Sequence, residues 1–148
     1  MTDIKVTSEN ETMAFAQQLA MDLQPGTVLG LVGDLGAGKT HFVKGLARGL
    51  GSDAAISSPT FTLVHEYESG SCPLYHFDFY RVDQLEEIVA IGWEEYLDET
   101  GIIVVEWADR FPELMPQETQ WWQIEILDEN TRRIKLTDGC PNKSKKEE

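Results

Sequence analysis

Apolar and polar positions along the chain change period several times, and each change marks an element. Residues 4–6 (Ile-Lys-Val) read as a short strand. Met13, Ala16, Leu19 and Leu23 then recur at helical spacing, with Ser8 or Asn10 placed to cap the helix and Pro25-Gly26 to end it. The run 27–32 (TVLGLV) is short, apolar and bounded by Gly33, the pattern of a buried strand. A glycine-rich loop follows, then a helix over about 39–50, stopped by Gly51. Residues 59–67 (PTFTLVHEY) and 74–80 (LYHFDFY) are rich in β-branched and aromatic side chains and predict a hairpin joined by the turn-rich link ESGSCP. Residues 84–99 predict a strongly acidic helix, and IIVVE at 102–106 is a second buried apolar run. After an irregular stretch around Pro112 and Pro116, residues 121–127 and 132–137 predict a second hairpin about Asp-Glu-Asn.

The strand–loop–helix order near the start predicts a parallel α/β sheet, and the two hairpins predict antiparallel additions to it. At 148 residues the chain is expected to fold as one domain, 1–138, followed by a polar tail, 139–148, expected to be disordered. Hydrophobic residues at 41% and charged residues at 26% place it among soluble globular chains. Lys and Arg number 12 against 26 Asp and Glu, a formal net charge of −14, so the chain is poorly suited to grip a polyphosphate backbone by itself. That balance suits a protein partner with a basic face. It does not exclude a nucleotide, because a local loop can bind phosphate against the global field. Cys72 and Cys140 lie far apart with no CxxC or Cys/His ligand spacing, which argues against zinc and for free thiols. There is no secretory pattern at the N-terminus and no apolar run near the ~20 residues that span a bilayer, so the expectation is a cytoplasmic protein without a membrane role.

One segment changes the picture most. Gly33-Asp34-Leu35-Gly36-Ala37-Gly38-Lys39-Thr40 fits G-x-x-x-x-G-K-[ST], the phosphate-binding loop, between an apolar strand and a helical pattern. The glycines allow backbone angles closed to other residues, so consecutive amides can converge on phosphate oxygens. The following helix presents its positive end to the same place. Lys39 is then the point charge for the β- and γ-phosphates, and the Thr40 hydroxyl a magnesium ligand. The fold class expected is therefore a single P-loop NTPase domain of the α/β class. It has a mixed, mostly parallel central sheet flanked by helices, with antiparallel hairpin additions.

Such a loop works with a carboxylate at the end of a neighbouring buried strand. Glu106 ends IIVVE and Asp78 follows LYHF, so both qualify. The segment Ser57-Ser58-Pro59-Thr60-Phe61 lies where P-loop proteins often sense the γ-phosphate, with Ser57 or Thr60 as contact. By composition alone it reads as a turn entering a strand. His41, His65 and His76 show no metal spacing, and Trp107, Trp121 and Trp122 read as core or surface aromatics. From Asp83 to Asp109 there are nine acidic residues and no Lys or Arg, either a solvated face or a docking surface for a basic partner.

GDLGAGKT (33–40), SPTFTLVHEY (58–67), YHFDFYR (75–81) and IIVVEWADR (102–110), in this order and spacing, resemble the TsaE family, formerly YjeE. These are small bacterial ATPases required for making threonylcarbamoyladenosine in tRNA. The resemblance covers roughly residues 8–137. It implies ATP and Mg²⁺ as ligands, with Asp34, Leu35, Gly36, Ala37, Gly38, Lys39 and Thr40 around the phosphates. Thr40 and Glu106 would serve the metal, and Asp78 would be a second essential carboxylate. Thr60 would belong to a switch-like loop, and Trp107 would be functional. An arginine of the last hairpin, Arg132 or Arg133, would flank the adenine, and the Ser8–Thr12 stretch would approach the base. The family acts with TsaB and TsaD, and TsaD transfers the threonylcarbamoyl group. The nucleotide cycle would reset that complex, with tRNA touched only through it and hydrolysis slow in the chain alone. Two rivals remain. A nucleotide-gated scaffold with negligible hydrolysis fits the same motifs. A small-molecule kinase fits less well, because Arg48, Arg81, Arg110, Arg132 and Arg133 are scattered and no lid insertion is evident.

Overall fold

The computed structural model describes residues 2–68 and 70–141. Residues 142–148 of the expected tail, and Ser69 within the link of the first hairpin, therefore lie outside the described residues. In chain order the elements are β1 (Asp3–Val6), α1 (Glu9–Ala20), β2 (Val28–Val32), α2 (Lys39–Gly49), β3 (Val64–Tyr67), β4 (Leu74–Asp78), α3 (Leu85–Ala90), α4 (Trp93–Asp98), β5 (Ile102–Glu106), β6 (Gln120–Ile126) and β7 (Arg132–Thr137). Two 3-10 turns, Ala108–Arg110 and Pro112–Leu114, connect β5 to β6.

Among the described residues the strands form one seven-stranded sheet in the order β1-β7-β6-β2-β5-β4-β3. The central strands β6, β2, β5 and β4 are parallel. The hairpin partners β7 and β3 run antiparallel to β6 and β4, and β1 pairs antiparallel with β7. The mixed sheet expected from the element order is thus the one observed.

The two apolar runs are uniformly hydrophobic because β2 and β5 are covered on both faces. Leu29, Leu31, Ile102 and Val104 face α1 and α2, where Ala16, Phe42, Val43 and Leu46 pack on them. Val28, Val32, Ile103 and Val105 face the other layer, with Phe77, Phe79, Ile88 and Trp93. α1 lies close on α2 because Gly45 and Gly49 leave no side chain between them. A Cβ at Gly45 would overlap the Met13 carbonyl and come within 2.7 Å of the Ala16 Cβ. This close crossing brings the start of α1 to the same sheet edge as the start of α2.

Four expectations change. The first helix ends at Ala20, short of Leu23 and of Pro25-Gly26. The helix over 84–99 is two short helices, α3 and α4, separated by Gly92 at φ 97°. The strand over 59–67 begins only at Val64. Residues before it form a turn in which the amides of Thr62 and Leu63 donate to the Pro59 carbonyl at 3.2 and 2.6 Å, with Leu63 at φ 73°. Local bonds of this kind outcompete the β-propensity of PTFTL. The second strand of that hairpin ends at Asp78 rather than Tyr80.

Candidate functional site

The carboxyl ends of the parallel strands point to one edge, where ligands bind in open α/β sheets. β2 delivers the glycine loop there, β5 delivers Glu106 and β4 delivers Asp78, which is in register with Glu106. A cavity of about 800 Å³ opens at this edge. Its walls are residues 35–41, Ser58, Thr60 and Phe61, the ends of β4 and β5, the β6–β7 turn and the start of α1.

In the loop, Gly36 and Gly38 hold φ 83° and 102°, in the left-handed region. A Cβ at either would meet no protein atom within 4 Å, so glycine is needed for the backbone angle and not for space. Gly38 is also the N-cap of α2 and supplies no side-chain acceptor, so the helix start is left for an outside anion. Lys39 is 5% exposed, unlike the usual surface lysine. Its Nζ donates to the carbonyls of Gly33 at 2.5 Å and Asp34 at 3.0 Å and lies 4.1 Å from the Trp107 ring centroid. Burial lowers its pKa from 10.5 to about 8, against the opposing pull of Glu106, Asp78, Asp109 and Asp34. Trp107 itself sits at φ 60° and packs on Tyr80 with ring centroids 4.8 Å apart.

The Thr40 hydroxyl donates to both oxygens of Glu106, at 3.1 Å to Oε1 and 2.9 Å to Oε2. Glu106 is 3% exposed, and the Nε2 of the fully buried His76 lies 2.6 Å from its Oε2. Asp78, 2% exposed, gathers the segment that leads into β3. Its Oδ2 accepts from Ser58 Oγ at 3.0 Å and Thr60 Oγ1 at 2.8 Å, and its Oδ1 from the Tyr80 amide at 2.8 Å. Burial and then the nearby Glu106 carboxylate raise the Asp78 pKa, while these three hydrogen bonds oppose the rise.

The structure therefore brings together Leu35, Gly36, Ala37, Gly38, Lys39, Thr40, Thr60, Asp78, Glu106 and Arg132 on one cavity. Asp34 takes part through its carbonyl, which accepts from Lys39 Nζ and the Ala37 amide. Ser57 does not line the cavity; its carbonyl accepts from the Tyr67 hydroxyl at 3.3 Å, and Ser58 stands in the cavity wall instead. The two arginines separate because neighbouring strand residues face opposite ways. Arg132 donates to the carbonyls of Gly36 and Asp128 at 3.1 and 2.8 Å, tying the β6–β7 turn to the glycine loop. Arg133 is a correction: it faces β1, with Nε 3.4 Å from Asp3 Oδ1, and does not line the cavity. His76 gave no signal as a metal ligand, yet its position two residues before Asp78 on a strand puts both on one face. The exposed acids Glu86, Glu94 and Glu95 stand outside the cavity.

The donors of this edge are hydroxyls and carboxylates, the hard oxygen set that suits Mg²⁺. Among the described residues no three or more His, Cys, Asp or Glu side chains are grouped to hold a metal by themselves, so the fit is to a metal shared with bound phosphates. The open loop, the uncapped helix start and the buried ammonium fit those phosphates. No helix among the described residues is long and apolar enough to cross a membrane.

The family model described as threonylcarbamoyl adenosine biosynthesis protein TsaE matches residues 6–134. The chain is 43% identical over 133 residues to the tRNA threonylcarbamoyladenosine biosynthesis protein TsaE of Bacillus subtilis, covering 90% of this chain and 83% of that protein. It is 49% identical over 112 residues to the protein of the same name from Synechocystis, covering 73% of this chain and 71% of that protein. Its fold matches the crystal structure of Bacillus subtilis YdiB with a TM-score of 0.79 and 38% identity, over 95% of this chain and 86% of that one. On the match across 6–134 and these identities over most of its length, the chain belongs to the TsaE family.

Proposed function

We propose that the cavity binds ATP with Mg²⁺, and that the chain hydrolyses it to support formation of the threonylcarbamoyl group on tRNA adenosine, acting with TsaB and TsaD. The observation that carries this reading is the convergence of Lys39, Thr40, Glu106 and Asp78 around the glycine loop, from three strands and a helix start. Bound magnesium would supply charge neutralisation on the phosphates. The chain's own residues do the rest. The loop amides and the start of α2 orient the phosphate tail, and Lys39 places one positive charge on it. Thr40 and Glu106 are the side chains that would hold the metal and its waters. Asp78 fixes Ser58 and Thr60 at the mouth of the cavity, where an attacking water must be ordered. Trp107 covers Lys39 and keeps bulk water from it. Arg132, with Nη1 and Nη2 donating to main-chain carbonyls, presents a guanidinium plane beside the loop, a surface on which a base can stack. The acidic surface leaves tRNA contact to the partners.

Reconstitution tests this reading. Threonylcarbamoyladenosine formed on tRNA is measured with TsaB and TsaD, with and without this chain, using ATP or a non-hydrolysable analogue in its site. Sustained turnover should require both the chain and hydrolysable ATP. Sustained turnover with the analogue would favour the scaffold reading, and turnover unchanged without the chain would contradict the role altogether.

A further inference from the structure

His76 is at 0% exposure in the middle of β4, and among the described residues it is the one partner of Glu106 that bonds a single carboxylate oxygen. The Thr40 hydroxyl reaches both Oε1 and Oε2 at similar distances, so it does not choose between them. The terminal torsion of a glutamate is broad, and such a side chain is free to turn its carboxylate plane unless a partner sets it. His76, 2.6 Å from Oε2, is placed to set it.

The ring's two nitrogens are unequal. Nδ1 is buried and has no hydrogen-bond partner among the described residues. The nearest rings do not serve it. Tyr67 and His65 lie 6.2 and 6.4 Å away by centroid, and the Tyr67 hydroxyl is engaged with the Ser57 carbonyl and with His65 Nδ1. A proton on Nδ1 would be an orphaned N–H in the protein interior, a costlier arrangement than an unused lone pair. A proton on Nε2 has an acceptor waiting, and the bond is charge-assisted.

We propose that His76 is a positioning residue: its Nε2–H donates to Glu106 Oε2 and locks the carboxylate plane in the orientation that keeps both oxygens within reach of the Thr40 hydroxyl. The proposal rests on the reading of the cavity as a site for ATP with Mg²⁺. It goes beyond that reading by assigning work to a side chain that touches neither ligand. Outer partners of this kind change metal affinity when removed, while leaving the metal-free part of binding alone.

The test titrates a fluorescent ATP analogue into the full chain, once in excess chelator and once across a range of Mg²⁺. His76→Leu keeps an apolar filling and removes the donor; His76→Gln places an amide N–H near the Nε2 position. His76→Leu should raise the Mg²⁺ concentration for half-maximal analogue binding by about tenfold, and His76→Gln should recover most of that loss. Affinity in chelator should be the same for all three proteins. The proposal is overturned if His76→Leu keeps the wild-type Mg²⁺ requirement, if it weakens binding equally with and without Mg²⁺, or if His76→Gln behaves like His76→Leu. Analogue binding by the wild type that ignores Mg²⁺ would instead strike at the Mg²⁺ reading, and with it at this proposal. A second measurement needs no variant to fold. A long-range ¹H–¹⁵N spectrum of the wild-type chain should show a proton on His76 Nε2; a bare Nε2 overturns the proposal.

Discussion

The glycine loop and the β4–β5 side of the cavity are built on different principles. The loop, residues 33–40, acts through its backbone: two glycines at positive φ, a helix start without a side-chain cap, and one lysine folded against its own carbonyls. The opposite wall acts through side chains from distant parts of the chain. Thr40 meets Glu106 across 66 positions, His76 meets Glu106 across 30, and Thr60 meets Asp78 across 18. The first region is local and stiff. The second is a chain of hydrogen bonds on which each member depends. A change in the loop should therefore show in whether nucleotide binds, and a change in the wall in what happens to it once bound.

The largest effect separating the two is expected from the wall. Glu106→Gln should cut phosphate release roughly 100-fold, the scale of losing a positioned charged group, while ATP still binds. Asp78→Asn should give a smaller loss, because an amide oxygen in the place of Oδ2 still accepts from both hydroxyls and only the bond from the Tyr80 amide is lost. Phosphate release and ATP binding measured on the same samples check both. If Glu106→Gln loses binding and turnover together, the two regions are not separable in this way.

Gly38→Ala tests the loop. At φ 102° an L-residue is strained by about 1–2 kcal/mol, so thermal unfolding should drop by that amount and ATP affinity should fall as the amides lose their aim. Because nothing lies within 4 Å of the added Cβ, a wild-type melting curve would show that the backbone has another conformation open to it.

The smallest effect is expected outside both regions. Reversing Glu86, Glu94 and Glu95 to Lys should slow association with a basic partner surface a few-fold at low salt and flatten its salt dependence. Glu87 is best left in place, because its Oε2 caps α3 by accepting from the Asp83 and Gln84 amides. ATP affinity should not change, since none of the three lines the cavity. Equal association rates would make this stretch a solvated face.

The same contrast explains what was legible in the sequence. The loop could be read because its requirements fall within eight consecutive residues and match its strand and helix. Glu106 and Asp78 could be read because an apolar run delivers each to a strand end. Their partners could not: His76 has no local signature beyond sharing a strand face with Asp78. Choosing Arg132 over Arg133 needs the strand register, which a slip of one residue reverses. PTFTL looks like strand, and becomes a turn through Ser58 and Thr60 bonding to a carboxylate twenty and eighteen residues on. Gly92 splits the acidic helix with a backbone angle that periodicity does not reveal.

The central claim is that this edge binds ATP through the loop and its lysine. Calorimetric titration of ATP with Mg²⁺ into the wild type and Lys39→Met tests it most directly. Lys39 is a suitable probe because its ammonium costs the folded state something. With its pKa lowered from 10.5 to about 8, the unfolded chain holds the proton more tightly. The cost is full below pH 8 and lifts as pH rises toward 10.5. Lys39→Met keeps the buried stem without the ammonium and should unfold at neutral pH no more easily than the wild type. The account predicts saturable one-site binding by the wild type and a loss of about 100-fold or more in the variant. Equal affinity in a folded Lys39→Met protein, or no saturable binding by the wild type, would contradict it.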